Sequence, residues 1–145
     1  MKVNIETDQA LLETEVLIRC AAHDERIDSI IAALHRCEQR IAASCDGAMY
    51  PVAPSDIFYI ETVDGSTFAY AKDRVHAMPF RIHELEEALY EYGFRRISKS
   101  SLLNLCRIRC LAPYVGARLL ASLDNGEDIV ISRKYAKDIK RELCA

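Results

Sequence analysis

Tryptophan is absent from this 145-residue chain, and glycine and proline are sparse, at five and four copies. No low-complexity segment or internal repeat is present. No apolar run approaches the roughly 20 residues that a membrane-spanning helix needs. The start, MKVNIETDQ, lacks the apolar stretch of a secretory signal, so a cytoplasmic address is expected. Phosphate loops and zinc helices are missing too: there is no G-x-G-x-x-G, G-K-[ST] or H-E-x-x-H. None of the four histidines sits in a Cys/His pattern with ligand spacing. Neither an enzyme, nor a cofactor, nor a metal is therefore expected. Ser98, Ser100 and Ser101 cluster, but nothing nearby in sequence would activate a nucleophile. Beside Lys99, such hydroxyls suit hydrogen bonds to phosphate or to base edges.

What is present is enough apolar material for a core: 50% of the chain, against 28% charged. That excludes disorder as the main state and fits one domain, or one domain with an appendage. Six cysteines are scattered at 20, 37, 45, 106, 110 and 144. Without a sign of export they read as reduced, small apolar fillers. Cys106 and Cys110 fall in a strand-like run, where positions four apart lie about 13 Å from each other, too far to share one zinc.

Residues 2–6 (KVNIE) and 15–19 (EVLIR) alternate like short strands. Asp24 is a plausible N-cap for a helix running to about Ala43. Its apolar positions Ile27, Ile30, Ile31, Leu34, Cys37 and Ile41 share one face. That stripe either lies on a sheet or forms a dimer contact. Asp46-Gly47 marks a change of character, dividing a leader (1–48) from a β-rich domain (49–145). Strands are expected at 49–53, 56–62, 67–72, 75–78, 94–98, 107–111, 117–123 and 128–132, with SLLNL following a polar knot at 98–101. Asp64-Gly65 and Asn125-Gly126 read as hairpin turns. A short helix follows Pro79 and ends at Gly93, and the tail from Lys134 to Leu143 is helical with Tyr135, Ile139 and Leu143 on its apolar side.

The net charge is −3, which by itself disfavours nucleic acid. It is unevenly spread. Residues 1–48 hold five basic and nine acidic side chains, and residues 49–145 hold fourteen and thirteen. From Gly93 to Leu123 there are six basic residues (Arg95, Arg96, Lys99, Arg107, Arg109, Arg118) and no acid. If these share a face, that face can hold a phosphate backbone although the whole chain is acidic.

Three motifs in order, PSDIFYIETVDGST, GFRRISKSSLLNLCRI and LDNGEDIVISRKYAKDIK, resemble the LytTR family of bacterial DNA-binding domains. The resemblance implies a mainly β (α+β) architecture, an elongated β-β-β fold of short antiparallel strands with short helices, preceded here by a small α/β leader. It implies a sequence-specific transcription regulator whose loops enter major grooves of double-stranded DNA. Carried over by position, Ser66 and Thr67 from the first loop, Ser98, Lys99 and Ser100 from the second, and Arg133 after the last strand face the bases or groove. Arg96, Arg107 and Lys134 are assigned to phosphate. Relatives often carry an amide or a histidine where Lys99 stands; a lysine donates to guanine O6 and N7 but cannot accept. The leader is too short for a receiver domain, so the chain resembles the stand-alone members of the family, which often have a small multi-helix membrane protein as companion. Ile27, Ile30, Leu34 and Ile41 then become a candidate homodimer or partner surface. The alternative is a protein-interaction or anti-regulator module that keeps the fold without specific DNA binding.

Overall fold

From Ile41 onward, short runs rich in apolar and β-branched residues, bounded by turns, build ten strands in two antiparallel sheets; the computed structural model describes residues 1–144. The strands are β1 (Ile41–Cys45), β2 (Ala48–Val52), β3 (Ile57–Val63), β4 (Ser66–Ala71), β5 (Val75–Met78), β6 (Phe94–Ser98), β7 (Ser101–Asn104), β8 (Ile108–Tyr114), β9 (Arg118–Leu123) and β10 (Asp128–Ile131). Three helices accompany them: α1 (Glu25–Glu38), α2 (Ile82–Ala88) and α3 (Arg133–Leu143). The larger sheet has the order β2-β1-β5-β4-β3-β7-β6, and the smaller β10-β9-β8. The mainly β (α+β) expectation holds.

Each sheet has its own core. Ile57, Ile60, Ala69, Phe94 and Leu102 pack under α2 through Leu85 and its C-cap Leu89. Phe58, Ile97, Leu103, Leu119, Leu123 and Ile131 pack against α3 through Ala136 and Ile139. Adjacent residues of one strand thus serve opposite cores: Ile57 and Phe58 on β3, Leu102 and Leu103 on β7. Period-two alternation makes those two strands the shared wall. Asn104 closes that wall. It is buried, its side-chain amide donates to the Ile57 carbonyl at 2.9 Å, and its Oδ1 accepts from the Cys106 N–H at 3.1 Å. Gly93 ends the segment after α2 in the left-handed region (φ 90°), as its place in the sequence predicts.

Three expectations are corrected. Residues 2–6 and 15–19 form no strands; residues 1–24 are irregular and all but Ile18 are exposed. Nothing within the chain pairs with them, and an isolated short strand leaves its backbone unsatisfied by protein. Next, α1 starts at the Asp24 cap, whose carboxylate accepts from Ile27 N–H at 3.1 Å, but stops at Glu38. Arg40 caps that end by donating to the carbonyls of Cys37 and Gln39. The Asp46-Gly47 turn (φ 50° and 78°) then draws 41–45 into a hairpin with 48–52, so Ile41 is a strand residue and not part of the helix stripe. Hairpin formation with a Gly at positive φ outweighs the helical spacing that ran on to residue 43. Finally, Leu143 at the end of α3 is exposed, and Ala136 takes the buried place beside Ile139.

The two sheets are also tied by Tyr59, which stacks on Tyr70 with ring centroids 4.4 Å apart and donates to Glu127 at 3.0 Å. Burial, then the Glu127 carboxylate, pushes the Tyr59 hydroxyl well above the usual tyrosine range, and burial with Glu61 raises Tyr70. A raised folded-state pKa contributes stability below the unfolded value near 10, and that contribution is lost as pH rises through the raised value. Chemical denaturation between pH 8 and 11 should therefore show a loss of stability above about pH 10. Tyr59→Phe should flatten that loss while costing about 1 kcal/mol at neutral pH.

Candidate nucleic-acid interface

Antiparallel register decides which loops meet. Val63 opposes Ser66 across the Asp64-Gly65 turn, whose φ values of 50° and 79° make it the tight type that Asp-Gly favours. Glu61 opposes Ser101, and Thr62 N–H donates to the Ser100 carbonyl at 2.9 Å, which sets the β6–β7 turn beside the β3–β4 turn. Ser132 N–H donates to the Ile97 carbonyl at 2.9 Å, which sets the start of α3 beside the end of β6. Two backbone hydrogen bonds therefore gather three segments at one end of the strands: 64–66, 98–101 and 132–134. We term this the loop end.

Its charge is largely free. Lys99, Arg133 and Lys134 are exposed, and none has a carboxylate within 4.0 Å among the described residues. The N-terminus of α3 points its partial positive charge the same way. Asp64, exposed at the first turn, opposes this field. Lys99 is the exposed tip of the second turn, where Ser98 Oγ accepts the Ser100 N–H at 3.3 Å. Ser66 is exposed, whereas Thr67 is buried, its hydroxyl 3.2 Å from that of Thr62. Strand alternation explains this: Thr67 and Ala69 turn inward together. Thr67 thus shapes the turn from inside, and Ser66 is the residue with surface to offer.

Two of the three expected phosphate contacts have protein partners. Arg96 pairs with Glu86 of α2 at 2.6 Å and donates to the Lys99 carbonyl at 2.6 Å. It clamps the turn that carries Lys99. Arg107 donates twice to the Ser55 carbonyl, at 2.9 and 2.6 Å, and pairs with Asp124 at 3.2 Å. Ser55 lies just before β3, so Arg107 stands at the opposite end from Val63, about 20 Å away along the strand. The structure thus brings Ser66, Ser98, Lys99, Ser100, Arg133 and Lys134 together, with Arg96 beneath them, and leaves Arg107 apart. Sequence spacing did not single out the β8–β9 turn. Because Leu119 opposes Ile131 and Arg118 opposes Tyr114, this turn projects past the loop end. There Tyr114 and Val115 are exposed, with the Arg118 guanidinium 4.9 Å from the Tyr114 ring.

The fold is an antiparallel β domain with three segments gathered at one end, two of them carrying free cations. The family model of the LytTr DNA-binding domain matches residues 47–143, and the chain belongs to that family. A solved LytTr DNA-binding domain of a putative methyl-accepting/DNA response regulator from Bacillus cereus superposes with a TM-score of 0.68 at 25% identity, covering 73% of this chain and 97% of that one. Sensory transduction protein LytT of Enterococcus faecalis is 27% identical over 95 residues, 66% of this chain and 39% of that protein. LytT of Bacillus subtilis is 26% identical over 109 residues, 75% of this chain and 45% of that protein. The chain thus spans less than half the length of either LytT protein. By contrast, an uncharacterized HTH-type transcriptional regulator of Staphylococcus aureus aligns over 145 residues at 24% identity, covering 99% of this chain and 98% of that one. In the present chain the three helices are separated by strands, so the described residues hold no helix-turn-helix. No helix among them is long and apolar enough to cross a membrane.

Proposed function

We propose that this chain is a cytoplasmic transcription regulator that reads duplex DNA through its loop end, as a homodimer on repeated sites. The observation that carries the proposal is the gathering of Lys99 on one turn with Arg133 and Lys134 at the start of α3, free of carboxylate partners, on two segments joined by the Ser132-to-Ile97 backbone hydrogen bond. Separate turns suit the successive contacts of a loop reader in a major groove. Ser66, Ser98, Lys99, Ser100 and Arg133 face the bases or groove, and Lys134 faces phosphate. A module with this few free cations binds modestly, and pairing two copies multiplies its contacts.

Residues 1–38, up to the end of α1, serve as the partner-binding part, since β1 is already built into the larger sheet. None of the residues of α1 is buried, and its half-exposed face of Ile27, Ile30, Ile31 and Leu34 belongs to neither core. That face suits a second copy or a small membrane-protein companion. The reading of the chain as an interaction module without specific DNA binding draws on one observation: Arg95, Arg96 and Arg107 of the basic stretch are already paired with Glu142, Glu86 and Asp124.

Fluorescence anisotropy over a salt series, on a duplex enriched from a random pool, separates the two. DNA binding predicts that affinity for the enriched duplex exceeds that for a scrambled one and falls linearly with log salt. No binding at about 50 mM salt, where phosphate contacts are strongest, would support the interaction module. Arg96→Ala should lower affinity with an unchanged salt slope, because Arg96 acts by clamping the Lys99 turn. A slope reduced by about one would instead return Arg96 to the phosphate.

A further inference from the structure

The leader carries backbone and apolar surface that the chain itself leaves without a partner. Among the described residues, residues 1–22 make one backbone–backbone hydrogen bond, Leu11 N–H to the Asp8 carbonyl. Val16 and Leu17 are 61% and 77% exposed, and Glu15–Arg19 sets three consecutive apolar residues, two of them β-branched, between charges of opposite sign. The charges say which partner would satisfy it.

Pairing 2–6 with 15–19 as an in-chain antiparallel hairpin matches Val3 with Ile18 and Ile5 with Val16. It also sets Lys2 against Arg19 and Glu6 against Glu15. Both end pairs are like charges directly opposite, which destabilises a sheet. Antiparallel pairing of 15–19 with the same segment of a second copy gives the reverse. Leu17 meets Leu17 on the twofold axis, Val16 meets Ile18, and Glu15 meets Arg19 at both ends. Every opposed pair is then apolar with apolar or acid with base. Such self-complementarity is what an isologous twofold interface requires.

We propose that Glu15–Arg19 is a dimerisation strand whose occupant is the same segment of a second copy, joined antiparallel across a twofold axis at Leu17. The inference rests on the homodimer reading above and supplies its central contact. Residues 2–6 share the charge symmetry, with Lys2 opposite Glu6, but would put Asn4 on the axis, so 15–19 has the more apolar centre. The pairing joins the two copies five residues before α1, whose open faces would then lie on either side of the same axis.

A charge swap tests this with the full chain. Glu15→Arg places an arginine opposite Arg19 at both ends of the pair, and Arg19→Glu places a glutamate opposite Glu15. Each single variant should raise the dimer dissociation constant, measured by analytical ultracentrifugation, roughly tenfold. Mixing the two variants should restore wild-type association, because a mixed dimer again has opposite charges at both ends. The double variant should also restore it. Weakened singles that mixing does not rescue would overturn the strand pairing. Singles with unchanged association would overturn it too, leaving a dimer held by another face. A wild-type chain that stays monomeric at all concentrations would overturn the homodimer reading itself.

Discussion

Replacing Arg133 by alanine should cost about 1–3 kcal/mol of affinity for an enriched duplex, or about 5- to 150-fold, and far less for a scrambled one. Position is the reason. Arg133 is the first residue of α3, exposed and without a carboxylate within 4.0 Å among the described residues. Its guanidinium is free to meet a guanine edge with two parallel hydrogen bonds from a rigid planar fork, which the flexible ammonium of a lysine matches less well. Arg133→Lys should therefore keep the salt slope and lose part of the preference for the enriched duplex. Because the side chain supports nothing in the fold, the thermal midpoint of both variants should match the wild type. Equal losses on enriched and scrambled duplexes would assign Arg133 to phosphate instead.

The second large effect concerns stability. Asn104→Ala should destabilise the chain by about 2–4 kcal/mol, measured by urea denaturation. The change strands the Ile57 carbonyl, at the buried start of β3, and removes the acceptor for Cys106 N–H. An unmet polar group at a buried site costs its desolvation in addition to the lost bond. Asn104→Asp is expected to be no better, because a carboxylate offers no donor to Ile57 and pays for burying charge. A loss under about 0.5 kcal/mol, typical of an exposed substitution, would show that water replaces the amide at the shared wall.

The strands from 48 onward were legible because their apolar and β-branched runs are bounded by turns that carry the residues positive φ demands, Asp64-Gly65 and Gly93 among them. The helical signal of α1 was legible at its Asp24 start and misleading at its end, since a hairpin 41–52 competes for the same residues. Leader strands at 2–6 and 15–19 were overread: alternation reports a capacity to pair, not the presence of a partner. The charge pattern located a basic segment but not the availability of its charges. Arg95 meets Glu142, 47 residues away, and Arg96 meets Glu86 of the acidic helix, so an acid-free run in sequence is not an acid-free surface. Spacing could not show this, because those pairs exist only once α2 and α3 pack on the sheets. Thr67 was in principle readable as buried, since it shares the inward face of β4 with Ala69.

The most direct test of the account maps DNA onto the strands by amide chemical shifts of the full chain with the enriched duplex. The three gathered segments, 64–66, 98–101 and 132–134, should shift together, while amides around Ser55, Arg107 and Asp124 at the opposite end stay in place. Shifts centred on that opposite end, or none at the three turns under conditions where anisotropy reports binding, would contradict it.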